Sequence, residues 1–314
     1  MVTIQEIIQS QHRIKKFIHR TPILRSKSLN TLTGAQLFFK CENFQKAGSF
    51  KIRGATNAVE QLSNKELLKG VATVSSGNHG AALSMAVTRR GGKVSIVMPK
   101  NSSKIKIDNV KRNGGDIVWC APNQSSREKV LGDLVKETGA VIVHSYNDER
   151  LHIMAGQGTA SKELLEDYPD LDVIIAPLGG GGLLSGTLCA TKSIKSNIKV
   201  YGAEPKEADD AFRSLKDGKI LPNKTTNTIC DGLRAQIGTI TFPVIQKLVD
   251  DIFTLDEGEI IESMHIIWER MKIIVEPSSA IVLAAIINKQ KIFKNQKIGL
   301  ILSGGNVDVD DLPW

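Results

Sequence analysis

Between residues 71 and 144 the chain repeats one pattern. A short apolar, β-branched run is followed by a longer stretch with helical spacing. The strand-like runs fall at 71–75, 94–98, 117–120 and 141–144. The helix-like stretches fall at 81–90, 103–113 and 126–136. Strands joined through helices are parallel, and such crossovers are almost always right-handed. Four units in so short a stretch predict a compact sub-domain with one parallel sheet.

A second series begins after residue 155. Strands are predicted at 173–177, 200–204 and 298–302, with a helix opening at 183 and a largely buried helix at 280–287. Over 257–272, Ile260, Ile261, Met264, Ile267, Trp268 and Met271 share one helical face. No internal sequence repeat or low-complexity segment interrupts the pattern. The chain therefore reads as two α/β sheets, with a ligand expected where the C-terminal ends of their strands face each other.

Composition narrows the function classes. A chain of 314 residues makes one large domain or two ordinary ones. With 41% hydrophobic and 24% charged residues it is a folded globular chain. The net charge of +8 raises nucleic acid as a partner, but the basic residues do not form a block. The densest group, Lys289, Lys291, Lys294 and Lys297, has few aromatics around it and reads as a solvated surface. Cys41, Cys120, Cys189 and Cys230 form no CxxC pair, which argues against a zinc cluster or a disulfide framework. No run resembles a signal peptide or reaches membrane-spanning length. The expectation is a reduced, soluble, cytoplasmic protein that binds neither nucleic acid nor membrane.

Three segments carry chemistry. Lys51 stands in GSFKIRGA (48–55), followed by the apolar stripe Ala55, Ala58, Val59 and Leu62. It therefore sits at a helix start, where the dipole disfavours a cation by about 0.3–1 kcal/mol; a neutral imine avoids that cost. Gly179, Gly180, Gly181 and Gly182 follow a strand and open a helix. Such a loop aims backbone N–H groups at a phosphate and lets the chain approach it closely. A dinucleotide turn would need the GxGxxG spacing with an acidic residue beyond it, which this segment lacks. The third segment, Ser75-Ser76-Gly77-Asn78-His79-Gly80, also joins a strand to a helix. Its backbone donors suit a substrate carboxylate, and Asn78 suits a cofactor ring oxygen. The His79 side chain reads as a hydrogen-bonded packing residue.

Together with Glu276-Pro277-Ser278 and Ser303-Gly304-Gly305-Asn306, these segments resemble the serine racemase and serine/threonine dehydratase family of fold-type II pyridoxal phosphate (PLP) enzymes. The resemblance runs from Arg20-Thr21-Pro22 to the final SGGNVD segment. The stretches 268–272 and 249–253 are most similar to its racemase branch. Ala81 and Val74, on either side of the SSGNHG loop, depart from the residues usual there.

The resemblance implies an α/β, tryptophan synthase β-like fold with two open parallel-sheet domains and the active site between them. Residues 1–67 and 148–314 would form the large cofactor domain, and 68–147 a small mobile one. It also implies roles. Lys51 carries PLP as a Schiff base and moves protons at Cα from one face, and Ser76 acts from the other. Phe50 packs near the cofactor, Gly179 to Gly182 bind its phosphate, Asn78 contacts the ring hydroxyl, and Ser303 faces the pyridine nitrogen. A hydroxyl there favours the neutral ring, so the carbanion is less delocalised and loss of a β-hydroxyl competes with reprotonation. Ser75, Ser76, Gly77, Asn78, His79 and Arg127 surround the substrate. Glu204, the carbonyl of Ala208 and Asp210 match the family's divalent-cation site, whose hard oxygens suit Mg²⁺, Ca²⁺ or Mn²⁺.

The implied activity is deamination of L-serine or L-threonine, with serine racemisation at the same site and a homodimer as the assembly. Threo-3-hydroxyaspartate dehydration, PLP-dependent β-replacement of the cysteine synthase kind, and a non-catalytic PLP-holding protein are the alternatives. A regulatory amino-acid-binding domain is not expected, since the chain ends soon after SGGN.

Overall fold

The structure is a computed structural model. It describes residues 1–75 and 77–314, apart from the Gln124 side chain. Among the described residues, ten strands form two sheets. They are β1 (Ile23–Leu24), β2 (Gln36–Cys41), β3 (Val71–Val74), β4 (Val94–Pro99), β5 (Asp116–Cys120), β6 (Val141–Ile142), β7 (Val173–Pro177), β8 (Lys199–Pro205), β9 (Asp251–Leu255) and β10 (Lys297–Leu302). One sheet runs β1-β2-β10-β7-β8-β9, the other β5-β4-β3-β6. Every pairing is parallel except β1 with β2. The repeated β-α units at 71–144 thus build the four-stranded sheet, as their spacing predicted.

The sequence reading placed the elements but missed some of them. Strands β1, β2 and β9 were not predicted, nor was the extent of the His152–Asp167 helix, which buries twelve of its residues. β6 is shorter than the predicted 141–144. The Val143 N–H still reaches Ala72 O at 3.0 Å, but His144 then turns the chain out of the sheet. Its Nδ1 accepts the N–H groups of Tyr146 (3.3 Å) and Asn147 (2.9 Å).

The core of the four-stranded sheet closes on the Lys51–Val59 helix. Its Ile52, Ala55, Ala58 and Val59 pack with Val71, Ala82, Val87, Val94 and Ile96 under the four-stranded sheet. Its other side lies so close to the His152–Asp167 helix that a Cβ on Gly156 would come within 2.6 Å of Gly54 Cα. This helix is therefore seated between the two sheets, and Lys51 is its first residue. Among the described residues no helix is long and apolar enough to cross a membrane.

Candidate active site

A buried ion cluster fixes the turn that carries Lys51. Arg53 is fully buried and donates to Glu42 Oε2 (2.7 Å) and Oε1 (2.8 Å), Glu163 Oε1 (2.9 Å) and Oε2 (2.8 Å), and Thr159 Oγ1 (3.0 Å). Lys40 Nζ adds bonds to Glu163 Oε2 (2.6 Å) and Thr21 O (2.8 Å). A buried charge survives only when its donors and acceptors are matched, and here they are. Just ahead of Lys51, the Phe50 N–H donates to Ser303 O at 3.0 Å, tying the helix start to the end of β10. Ser49, bridged to Gly304, has a buried hydroxyl without a partner.

Lys51 Nζ lies 5.0 Å from the Phe50 ring centre. Burial pushes its pKa down to about 8, against a smaller upward pull from Glu276. His79 and His144 lie close enough to feel its charge, and both are depressed, mainly by burial; His79 falls to about 3. The His79 Nε2 pairs with Val143 O at 2.9 Å, while its buried Nδ1 has no partner.

In the SSGNHG loop, Asn78 and His79 lie near this amine: His79 feels its charge, and Asn78 holds Glu276, whose carboxylate also acts on it. The Ser75 hydroxyl accepts the N–H groups of Gly77 (3.2 Å) and Gly80 (2.9 Å) and so shapes the loop itself. The helix begins directly at Asn78, three residues earlier than predicted. Asn78 Nδ2 donates to both Glu276 oxygens at 2.9 and 3.1 Å, and its Oδ1 accepts from Asn306 Nδ2 at 2.9 Å. Glu276 is buried. Desolvation raises its pKa, with Asn78, Lys106 and Lys51 pulling the other way. Lys106 forms an ion pair with Asp231 across the mouth of the loop. A Cβ on Gly77 would lie 3.5 Å from Lys106 Cδ and 3.9 Å from Asp231 Oδ2. Ser76 lies outside the described residues.

The glycine run stands at the end of β7 and the start of the Gly182–Ile194 helix. Its carbonyls are used: Gly180 O accepts Thr241 Oγ1 at 2.7 Å and Gly181 O accepts Ser185 N at 2.9 Å. Its N–H groups donate to no described residue. A Cβ would meet Leu233 Cα at 2.9 Å from Gly179, and the Tyr146 ring at 2.4 Å from Gly180. From Gly181, at φ +89°, it would meet Ile237 at 2.7 Å, and from Gly182, Tyr146 Cβ at 3.0 Å. A run of free N–H groups at a helix start is a ready anion site.

Behind this loop stand two buried carboxylates. Glu204, near the end of β8, accepts the N–H groups of Ala211 (3.2 Å) and Phe212 (2.9 Å). Asp210 Oδ2 accepts Ile237 N at 2.7 Å, while Oδ1 is buried without a partner. Burial raises both acids, with Asp210 adding to the effect on Glu204; Asp210 reaches about 6. Next to Ile237, Gly238 N donates to Gly180 O at 3.3 Å, so the acid pair is two residues from the glycine loop.

Phe50, His79 and, through Glu276, Asn78 are thus brought near Lys51, Ser303 is tied to Phe50 through its carbonyl, and Glu204 and Asp210 stand behind Gly179 to Gly182. Arg127 is not brought into contact with them among the described residues. It stands on the Gln124–Thr138 helix near Cys120, its Nε buried without a partner. Sequence reasoning did not assign Glu276, Lys106, Asp231, Tyr146 or Asn306 a role. Glu276 and Asn306 carried a usable signal, through their places in the EPS and SGGN motifs.

The profile of the family described as pyridoxal-phosphate dependent enzyme matches residues 14–304. A serine racemase of Arabidopsis thaliana is 50% identical, covering 98% of this chain and 94% of the relative. A beta-hydroxyaspartate dehydratase of Paracoccus denitrificans (strain Pd 1222) is 46% identical, covering 99% and 98%. The solved structure of maize serine racemase superposes with a TM-score of 0.96 at 46% identity, covering 98% of this chain and 95% of that one.

Proposed function

The chain belongs to the pyridoxal-phosphate dependent enzyme family; from that premise we propose that it deaminates L-serine or L-threonine to the 2-oxo acid and ammonia, and racemises serine at the same site. One arrangement carries the reading. A lysine whose pKa is lowered by burial to about 8 opens a helix and feels the charge of Glu276, which Asn78 holds, and the chain also carries a glycine run whose N–H groups donate to no described residue. When bound, PLP supplies an electron sink that acidifies the Cα–H of an amino acid. Lys51 Nζ would hold it, Gly179 to Gly182 would take its phosphate, Phe50 and Asn78 would border its ring, and Ser303 would face its nitrogen. The free N–H groups and the unpartnered Ser49 hydroxyl fit such a group.

Lys51 takes the Cα proton on one face. Donors of the loop from Ser75 to His79 hold the substrate carboxylate, with Arg127 as a further candidate. If the β-hydroxyl leaves as water, hydrolysis later returns one water and releases ammonia. If a proton arrives instead on the opposite face, the enantiomer forms, and Ser76 is the proposed donor there. Residues 68–147 are proposed as the mobile part that closes over the substrate.

Glu204, Ala208 and Asp210 are proposed to bind Mg²⁺, Ca²⁺ or Mn²⁺. The orphan Asp210 oxygen and two neighbouring buried acids fit a hard cation, which would neutralise them and fix the 237–241 segment behind the glycine loop. Four buried, unpaired cysteines support a reducing, cytoplasmic setting, and the family resemblance supports a homodimer.

A second reading, threo-3-hydroxyaspartate as substrate, is favoured by the 46% identical dehydratase. The test is incubation with L-serine, L-threonine and threo-3-hydroxyaspartate, followed by 2-oxo acid and chiral analysis, on the native protein and Ser76→Ala. The expected result is 2-oxo acid from L-serine, with racemisation lost in Ser76→Ala and L-serine deamination largely kept. No 2-oxo acid from any of the three would overturn the reading. Equal loss of both activities in Ser76→Ala would make Ser76 a substrate-holding residue.

A further inference from the structure

We propose that Tyr146 is a positioning residue for the cofactor phosphate: its ring holds the glycine loop in the shape that leaves the loop's N–H groups free for an anion. This rests on the reading of Gly179 to Gly182 as a phosphate cradle. Glycine in such a loop is expected to make room for the ligand. Beside Gly180 and Gly182 the room is taken by the protein itself. A Cβ on Gly180 would come within 2.4 Å of Cδ1 and Cε1 of Tyr146, and one on Gly182 within 3.0 Å of its Cβ. On the other edge of the ring, a Cβ on Gly238 would lie 3.0 Å from Cδ2. Tyr146 is thus wedged between the glycine loop and the 238–241 segment.

That wedge bears on one peptide. Gly180 O accepts Thr241 Oγ1 at 2.7 Å and Gly238 N at 3.3 Å, so it is turned toward the 238–241 segment. A trans peptide points its N–H opposite to its carbonyl. The Gly181 N–H is therefore aimed away from that segment, and it donates to no described residue. Gly180 has no side chain of its own, so without a ring beside it the same peptide could turn and spend its N–H elsewhere. The ring is itself held. His144 Nδ1 accepts the N–H groups of Tyr146 at 3.3 Å and Asn147 at 2.9 Å, and the two rings meet edge to face with centres 4.7 Å apart. Asn147 Oδ1 accepts Ile240 N at 2.9 Å, and its Nδ2 donates to Thr239 Oγ1 at 3.1 Å. A cradle fixed before the anion arrives loses less freedom on binding, and that is the affinity assigned to Tyr146. The competing account is that Tyr146 only fills space, with no bearing on phosphate.

Two probes separate the accounts: PLP, and pyridoxal, which carries the same aldehyde without the phosphate. Each is titrated into cofactor-free native protein, Tyr146→Phe, Tyr146→Leu and Tyr146→Ala. Imine formation is followed by absorbance, and melting of the cofactor-free forms is measured alongside. The expected result is a loss of about tenfold in PLP affinity in Tyr146→Ala, with pyridoxal affinity unchanged. Tyr146→Leu keeps apolar bulk in case the alanine variant does not fold, and should show a smaller loss of the same kind. Tyr146→Phe should bind PLP as the native protein does. Equal weakening of both probes, or unchanged PLP affinity in Tyr146→Ala and Tyr146→Leu, would overturn the inference. Native protein that binds PLP no more tightly than pyridoxal would overturn the cradle reading itself, and this inference with it.

Discussion

The two sheets treat their charges differently. On the six-stranded side the Arg53 cluster is sealed: Arg53, Lys40, Glu42 and Glu163 are all buried, and every guanidinium nitrogen has a carboxylate partner. β7 is buried along its whole length. On the four-stranded side, β5 and β6 are partly exposed and no described residue of the Gln124–Thr138 helix is fully buried. Its links to the other sheet near the site are few and polar: Lys106 with Asp231, Asn109 with Asn306 at 3.2 Å, and Asn78 with Glu276. A sealed cluster holds one geometry, whereas a pair that keeps some contact with water can break and re-form at lower cost. The first suits a fixed cofactor seat and the second a part that opens for substrate.

The largest expected effect breaks the sealed side. Arg53→Met leaves Glu42 and Glu163 buried with only Lys40 to offset them. Loss of one partner from a buried ion cluster costs about 3–5 kcal/mol. Urea unfolding should show a drop of that size, with cofactor binding weakened as the Lys51 turn loosens. A loss below about 1 kcal/mol, in the range of an exposed pair, would erase the contrast between the two regions.

Lys106→Met probes the other side. The pair keeps some contact with water, so stability should fall by less than in Arg53→Met. The cofactor spectrum should be kept, while KM rises about tenfold because the loop at Gly77 loses its brace, equivalent to about 1.4 kcal/mol. Asp231→Asn should do the same, and the double variant should be no worse than either single one, since both remove one contact. Lys106→Arg should recover part of the loss. Unchanged KM in both single variants would mean that the pair does not position the loop.

What the sequence made legible follows from how local each signal is. The β-α alternation lies along the chain, so the four-stranded sheet could be read from consecutive segments. The glycine run was legible because free backbone N–H groups need no side chain. β2 was not, for a physical reason: its Lys40 argues against burial until Glu163, far away in sequence, supplies the opposite charge. Glu276, Tyr146 and Asn306 likewise acquire their places only through tertiary contacts, such as the Asn306 bonds to Ala47, Asn78 and Asn109. Arg127 marks the reverse case, a residue assigned by resemblance that no bond among the described residues ties to Lys51 or the glycine run.

The smallest expected effect sharpens the contrast at Lys51, which both regions enclose. Its pKa is lowered from 10.5 to about 8, chiefly by burial. In cofactor-free protein the amine is therefore protonated below about pH 8 and neutral above it. Between about 8 and 10.5 the unfolded chain binds a proton that the folded one does not, so this group makes folding stability rise with pH across that window. Only the neutral amine can attack an aldehyde. The rate at which cofactor-free protein captures PLP, followed by absorbance, should climb with pH through an inflection near 8 and level off above it. An unburied lysine would keep climbing toward about 10.4. If the four-stranded side supplies part of the desolvation, opening it returns water to Lys51 and moves the inflection upward. Lys106→Met and Asp231→Asn remove opposite charges, so a simple electrostatic effect would move the inflection in opposite directions. An upward move in both, by a few tenths of a pH unit, about 0.4 kcal/mol or more, is the expected result. Opposite moves would mean that the pair acts on Lys51 through charge alone. No move in either would mean that the six-stranded side encloses the amine by itself.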